Sequence, residues 1–429
     1  MKHWMAQIDG VSRRSFLHAA AKSFLGVSLV PALGPLAGVA NGAEAAGGKA
    51  KNIIYLFMNG GMTHLDTFDL KPGSEVKGET KPITTNVTGM HLSEPLPTLA
   101  SKMEHIAIVN SMFTETGAHE PGRYFMRTSY KEIATTRHPC MGVWAEKILG
   151  RRNKDLPDSV VINGEARHPA AGFMEPSLSP LPVGNPNEGL KNTKMPDYVT
   201  DEAFQRRLEM AAKFDRAFHK KYNTLPVQAY DDYYAQAARL LNSEGLKNFD
   251  LNEEEAEVRD AYGRGTFGQG CLLARRLVES GVRYVEIDYG GWDMHNEIAT
   301  AIENRGTEFD TGLGQLMTEL EERDMLKETV IVVATEFGRT PRINQNAGRD
   351  HHPGVFSCML AGAGIKGGQF YGKSDKDGQS VEENGVAVAD FNATIATTLG
   401  LPLKKEFFSP AGRPFKVAHD GAPIADLLS

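Results

Sequence analysis

Residues Asn52–Met58 (NIIYLFM) form a largely apolar run that ends in Asn59-Gly60-Gly61. An unbroken run bounded by glycine predicts a strand buried on both faces, as in a parallel sheet, feeding a loop. His105–Asn110, Val282–Asp288, Thr329–Ala334 and Val355–Leu360 repeat the pattern. Helical periodicity falls between them. It predicts a helix over Phe267–Ser280 closed by Gly281, one through Glu308–Arg323, and a last one over Ala389–Leu399 stopped by Gly400. From Asn163 to Asp197 the chain is rich in Pro, Gly and Asn, which predicts an excursion over the surface. Asp201–Tyr222 and Val227–Asn242 are charged and helical in period, so about 155–262 reads as an excursion with a helical insertion. Strand and helix alternate overall. The expected class is α/β, a mostly parallel central sheet with helices on both faces.

The N-terminus alters the picture of where the chain works. Ser12-Arg-Arg-Ser-Phe-Leu17 precedes a weakly apolar stretch and a small-residue site at Ala43-Glu44-Ala45. That layout predicts a signal peptide of the twin-arginine type over residues 1–45, and a periplasmic or extracellular domain over 50–429. Lys22, Pro31, Gly34, Pro35 and Gly38 interrupt the stretch, which argues against a stable membrane anchor. The formal net charge of −7 argues against nucleic acid as a partner. Cys140, Cys271 and Cys358 are far apart, without metal spacing, and read as small buried hydrophobes.

Ligands of open α/β sheets lie beyond the carboxyl ends of the strands, and polar clusters follow the predicted strands there. Asp288, Asp293 and His295 offer oxygen and nitrogen donors suited to a divalent ion; a turn at Asp288 and a helix cap at Asp293 would explain them equally. Asp350-His351-His352 is a second cluster, in which either histidine can bind metal or the sheet edge. Glu336 leaves the apolar run Val330–Ala334, placed either as a ligand or as a partner of Arg339. Between Met112 and Tyr130 lie Thr114, Thr116, His119, Arg123 and Arg127. On a helix, Arg123 and Arg127 share a face, which either holds an anion or is a solvated basic face.

Met58-Asn-Gly-Gly-Met62, Leu65-Asp-Thr-Phe-Asp69-Leu-Lys-Pro72, Gly290-Gly-Trp-Asp-Met-His295, Thr335-Glu-Phe-Gly-Arg-Thr-Pro341 and Gly348-Arg-Asp-His-His352 together resemble the DUF1501 family of exported bacterial proteins. The match runs along nearly all of the mature chain. The family is similar to the alkaline phosphatase/sulfatase superfamily, which hydrolyses phosphate or sulfate esters with one or two divalent metals. His119-Glu-Pro-Gly-Arg123 resembles the sulfatase nucleophile motif with histidine in the nucleophile's place. Asn59 stands where the superfamily has a metal-binding Asp, and Phe337 where it has a His. The resemblance therefore implies one ion (Zn, Mn, Mg or Ca) on Asp288 or Asp293, His295, Glu336, Asp350 and His351 or His352, beside Asn59, Thr116 and Arg339. It implies His119 as nucleophile or general base, with Thr116 or Thr114 as weaker candidates, and Arg123 stabilising negative charge. The function implied is a metal-dependent hydrolase of a small-molecule or glycan phosphate or sulfate ester. The alternative is a binding or scaffold protein on the same fold, with partners the sequence does not name.

Overall fold

A computed structural model describes residues 48–191 and 243–429, with scattered positions between 193 and 241. The signal-type segment 1–45 lies outside the described residues, and so does most of the two predicted helices at 201–222 and 227–242.

The strands that matter for the site are β1 (Asn52–Met58), β2 (Ile106–Phe113), β3 (Ser159–Ile162), β4 (Leu181–Val183), β5 (Tyr284–Tyr289), β6 (Thr329–Ala334), β7 (Gly338–Arg339), β8 (His351–His352), β9 (Phe356–Gly362), β10 (Gln369–Tyr371) and β11 (Val386–Ala387). The helices are α1 (His119–Thr128), α2 (Met141–Leu149), α3 (Thr266–Glu279), α4 (Ile298–Glu322) and α5 (Val388–Thr398). A nine-stranded sheet runs in the order β10-β2-β9-β6-β1-β5-β3-β4, with β11 also on β2. At its centre Leu56 of β1 pairs with Ile287 of β5 and Val333 of β6, all parallel. Only β9 runs against its neighbours, β6 and β2. The chain leaves β6 at the carboxyl edge, folds into the two-residue ribbon of β7 and β8, and re-enters the sheet from that same edge. Without a crossover it must run back.

Alternation along β1 explains why the run is apolar throughout. Ile54, Leu56 and Met58 pack on one face with Phe267, Leu273, Phe309 and Leu313 of α3 and α4. Ile53, Tyr55 and Phe57 pack on the other with Trp144 of α2 and Phe391 and Ile395 of α5. Helices therefore cover both faces, and the mostly parallel α/β sheet is as the sequence implies. Burying each such side chain contributes about 1.5–3 kcal/mol.

Two details differ from the sequence reading. β3 and β4 are strands of the central sheet inside the stretch read as an excursion. Both are short, and Pro182 is tolerated in β4 because it is the edge strand. The helix expected from Glu308 begins ten residues earlier, at Ile298. All three cysteines are free and buried, and burial pushes the thiols of Cys140 and Cys358 up to about 12. Among the described residues no helix is long and apolar enough to cross a membrane.

Candidate metal centre

At the carboxyl edge, β1 exits through Asn59 and Gly60, β5 through the loop to His295, and β6 through Glu336, while α1 follows β2. Two glycines let these segments meet. Gly60 has φ +125°, and a Cβ there would lie 2.4 Å from the Asp293 backbone nitrogen. A Cβ on Gly122 of α1 would lie 3.1 Å from the Glu336 Cβ. Pro121 falls in the first turn of α1, where its missing N–H costs nothing. Any larger residue at either glycine would push apart the groups that follow.

Three imidazoles converge on one carboxylate. His119 Nε2 lies 3.3 Å from Asp293 Oδ2, and His295 Nε2 and His351 Nε2 lie 3.0 and 3.2 Å from Asp293 Oδ1. The Nε2 atoms of His295 and His351 are themselves 3.0 Å apart. Each ring is anchored by its other nitrogen. His119 Nδ1 donates to Glu336 Oε1 at 2.7 Å, His295 Nδ1 to Asp350 Oδ1 at 2.8 Å, and His351 Nδ1 to the Gly117 carbonyl at 2.7 Å. Those partners can only accept, so the proton of a neutral ring sits on Nδ1, and in that tautomer the Nε2 lone pairs point inward. A shared proton can satisfy one pair of such acceptors at most. The ligand atoms of His119, Asp293 and His351 all lie within 4.8 Å of one another, a grouping that can hold a metal ion. His295 Nε2, 3.0 Å from Asp293 Oδ1, stands beside that group rather than within it. Partial burial pushes the Asp293 carboxyl up, but the Arg339 hydrogen bond and charge outweigh it and hold the pKa at about 2. The carboxylate is thus ionised, the form that binds a cation.

The remaining predicted residues are placed around this group rather than in it. Glu336 is buried and accepts from the Gly60 N–H at 3.0 Å as well as from His119, so it orients the ring. Its partner is not Arg339. That guanidinium is fully buried, donates to the Gly60, Gly61 and Arg349 carbonyls, and pairs with Asp293. Asp350 holds His295, and Thr116 accepts from the Ala118 N–H before α1. His352, on the opposite face of β8 from His351, donates to the Gln379 carbonyl at 2.6 Å. Asp288 is likewise turned away: it accepts from Asn59 Nδ2 at 3.0 Å and from Arg127 Nη2 at 2.8 Å.

Arg127 anchors a second, buried cluster. Its guanidinium stacks 4.0 Å from the Phe57 ring centre and pairs with Glu286, Asp288 and Glu165 at 2.6–2.8 Å. Burial pushes the Glu286 carboxyl up, yet Arg127 and His168 prevail and hold it down at about 2. The pair Arg123 and Arg127 is therefore not a solvated face. Glu165 and Glu286 escaped the sequence reading. Glu286 and Asp288 alternate onto one face of β5, a signal that was present, whereas no spacing in the sequence points to Glu165.

Solved structures similar in fold include a protein in the alkaline phosphatase superfamily from Vibrio parahaemolyticus, 12% identical, covering 97% of this chain and 79% of that one, TM-score 0.40. The PsFucS1 sulfatase from Pseudoalteromonas sp. is 13% identical over 87% of this chain and 73% of that one, TM-score 0.40. The lipoteichoic acid synthase LtaP from Listeria monocytogenes is 9% identical over 84% and 74%, TM-score 0.38. No curated protein matches the chain in sequence. The family model described as a protein of unknown function, DUF1501, matches residues 50–428, nearly everything after the signal-type segment, and the chain belongs to that family.

Proposed function

We propose that this protein is an exported hydrolase of phosphate or sulfate esters, working with one divalent ion on His119, Asp293, His295 and His351. The observation that carries the reading is the set of three imidazoles whose Nδ1 atoms are tied to oxygens while their Nε2 atoms meet at Asp293. Three nitrogens and one carboxylate suit Zn or Mn better than Mg or Ca, which prefer oxygen throughout. Such an ion supplies Lewis acidity, polarising an ester oxygen and lowering the pKa of water.

The protein's own groups do the rest. Glu336, Asp350 and the Gly117 carbonyl keep one proton on each Nδ1 and so fix the tautomers. Arg339 lies against Asp293 and holds the Asp293 loop to Gly60 and Gly61. Arg123, one turn beyond His119 on α1, supplies a guanidinium for the oxygens of an anionic ester. His119 acts as a ligand in this arrangement, since both its nitrogens are engaged, and attack falls to water. One observation favours the binding or scaffold reading instead: both guanidinium groups of α1, Arg123 and Arg127, are already paired with Glu165.

Elemental analysis of the mature protein purified without chelator separates the readings, beside an Asp293→Ala/His295→Ala variant. About one Zn or Mn per chain, absent from the variant, is expected. Aryl sulfate or aryl phosphate turnover that stops with chelator and returns with metal establishes the hydrolase. Metal without turnover on any ester favours the binding protein. No metal, even after incubation with excess ion, overturns both forms of the centre.

A further inference from the structure

We propose that Arg123 and Arg127 form a seat for the tetrahedral oxyanion of the ligand, and that Glu165 is a carboxylate latch the ligand displaces. The inference rests on the ester-hydrolase reading and adds how that site admits its substrate.

The two arginines lie four residues apart on α1, and the Glu165 carboxylate bridges them, one oxygen on Arg123 Nη1 and the other 2.6 Å from Arg127 Nη1. They differ in what else holds them. Arg127 is fixed by Glu286, Asp288 and the Phe57 ring, and stays in place whatever Glu165 does. Arg123 is not so fixed. Among the described residues its Nε is buried without a hydrogen-bond partner, with Glu336 Oε1 still 3.8 Å away. When Glu165 leaves, Arg123 is the guanidinium set free, one turn from the metal-binding His119.

Glu165 sits where it can leave. Its loop, between β3 and β4, has a left-handed φ at Ala170 (51°), a conformation held by tertiary contacts rather than by preference. A cavity of about 40 Å³ lies beside it, lined by Tyr124, Arg127, Arg137 and Arg167 together with the carboxylates of Glu120 and Glu132. That is room for a retreating carboxylate beside the Arg137 guanidinium, Arg167 being already paired with Glu120. The exchange replaces one anion in the fork with another. A neutral ligand cannot open the latch, since it would leave the Arg123 guanidinium without its carboxylate. The latch therefore selects sulfate- or phosphate-bearing molecules over neutral ones of equal size.

The test is calorimetric titration of the mature, metal-analysed protein with inorganic sulfate, inorganic phosphate and, as a planar control, acetate. Glu165→Gln keeps the shape and removes the charge; sulfate or phosphate should bind at least about tenfold more tightly, and acetate should gain less. Adding Arg123→Gln to that variant should abolish the gain. Arg123→Gln alone, in the parent, should weaken anion binding and serves if Glu165→Gln does not fold. Unchanged anion affinity in Glu165→Gln at parental metal content and melting temperature overturns the latch, as does a gain that survives Arg123→Gln. A gain in protein that holds no metal supports the seat while overturning the hydrolase reading, so the two fail separately.

Discussion

Two clusters of charged and ligating side chains sit side by side at the carboxyl edge of one sheet, and they answer the same electrostatic problem differently. Around Arg127, the carboxylates of Glu165, Glu286 and Asp288 surround a guanidinium that the chain itself provides. Around Asp293, three Nε2 atoms and a carboxylate meet with Arg339 at the side, on one Asp293 oxygen and 3.4 Å from His295 Nε2. The first cluster is complete as folded. The second, in the function proposed above, takes its cation from outside. Acidic residues at strand ends are thus no sign of a metal by themselves; what decides is whether a built-in cation already stands among them.

The contrast breaks most severely if the built-in cation is removed. Arg127→Met leaves Glu286 and Asp288 buried without their guanidinium, with His168 and Asn59 beside them, and should destabilise the fold by about 3–5 kcal/mol in urea unfolding. An acid titration asks for the same cation from the other side. Glu286 is held down to about 2, so its contribution is present above its ordinary pKa of 4.5 and is lost as pH falls toward 2. Melting temperature should drop across that window, and less so in Glu286→Gln.

The other cluster should respond in metal affinity, with little change in stability. Glu336→Gln weakens the hold on the His119 Nδ1 proton and should cost about 10–100-fold in affinity, measured by competition with a chelating dye. Asp350→Asn touches the exposed anchor of His295 and should cost less than about tenfold. If Glu336→Gln lowered the melting temperature while leaving metal affinity untouched, the anchor would be structural and the comparison would collapse.

Much of this was legible in the chain. β1 and β6 are read residue for residue, because both their faces are buried and their runs are unbroken. β3 and β4 are too short for periodicity to register, and Pro182 disguises the second. Asp293, His295 and His351 were visible as polar residues following strands. Choosing His351 over His352 needed the ribbon, where neighbours point to opposite faces and only one can look inward. Choosing Asp293 over Asp288 needed Arg127, which reaches Asp288 across 161 residues of chain. Glu165 depends on a loop geometry that no local pattern encodes.

The distance in sequence between the ligands has a further consequence. His119, Asp293 and His351 belong to three remote stretches of a chain whose cysteines are all unpaired. An ion that joins them is a cross-link, closing two loops of more than about 50 residues each in the unfolded ensemble, where the entropy removed grows only slowly with length. Mechanical and thermal endurance then become functions of free metal concentration, rising by about 1.4 kcal/mol for each tenfold excess over the dissociation constant. Where other proteins harden themselves by oxidation, this one would do so by coordination.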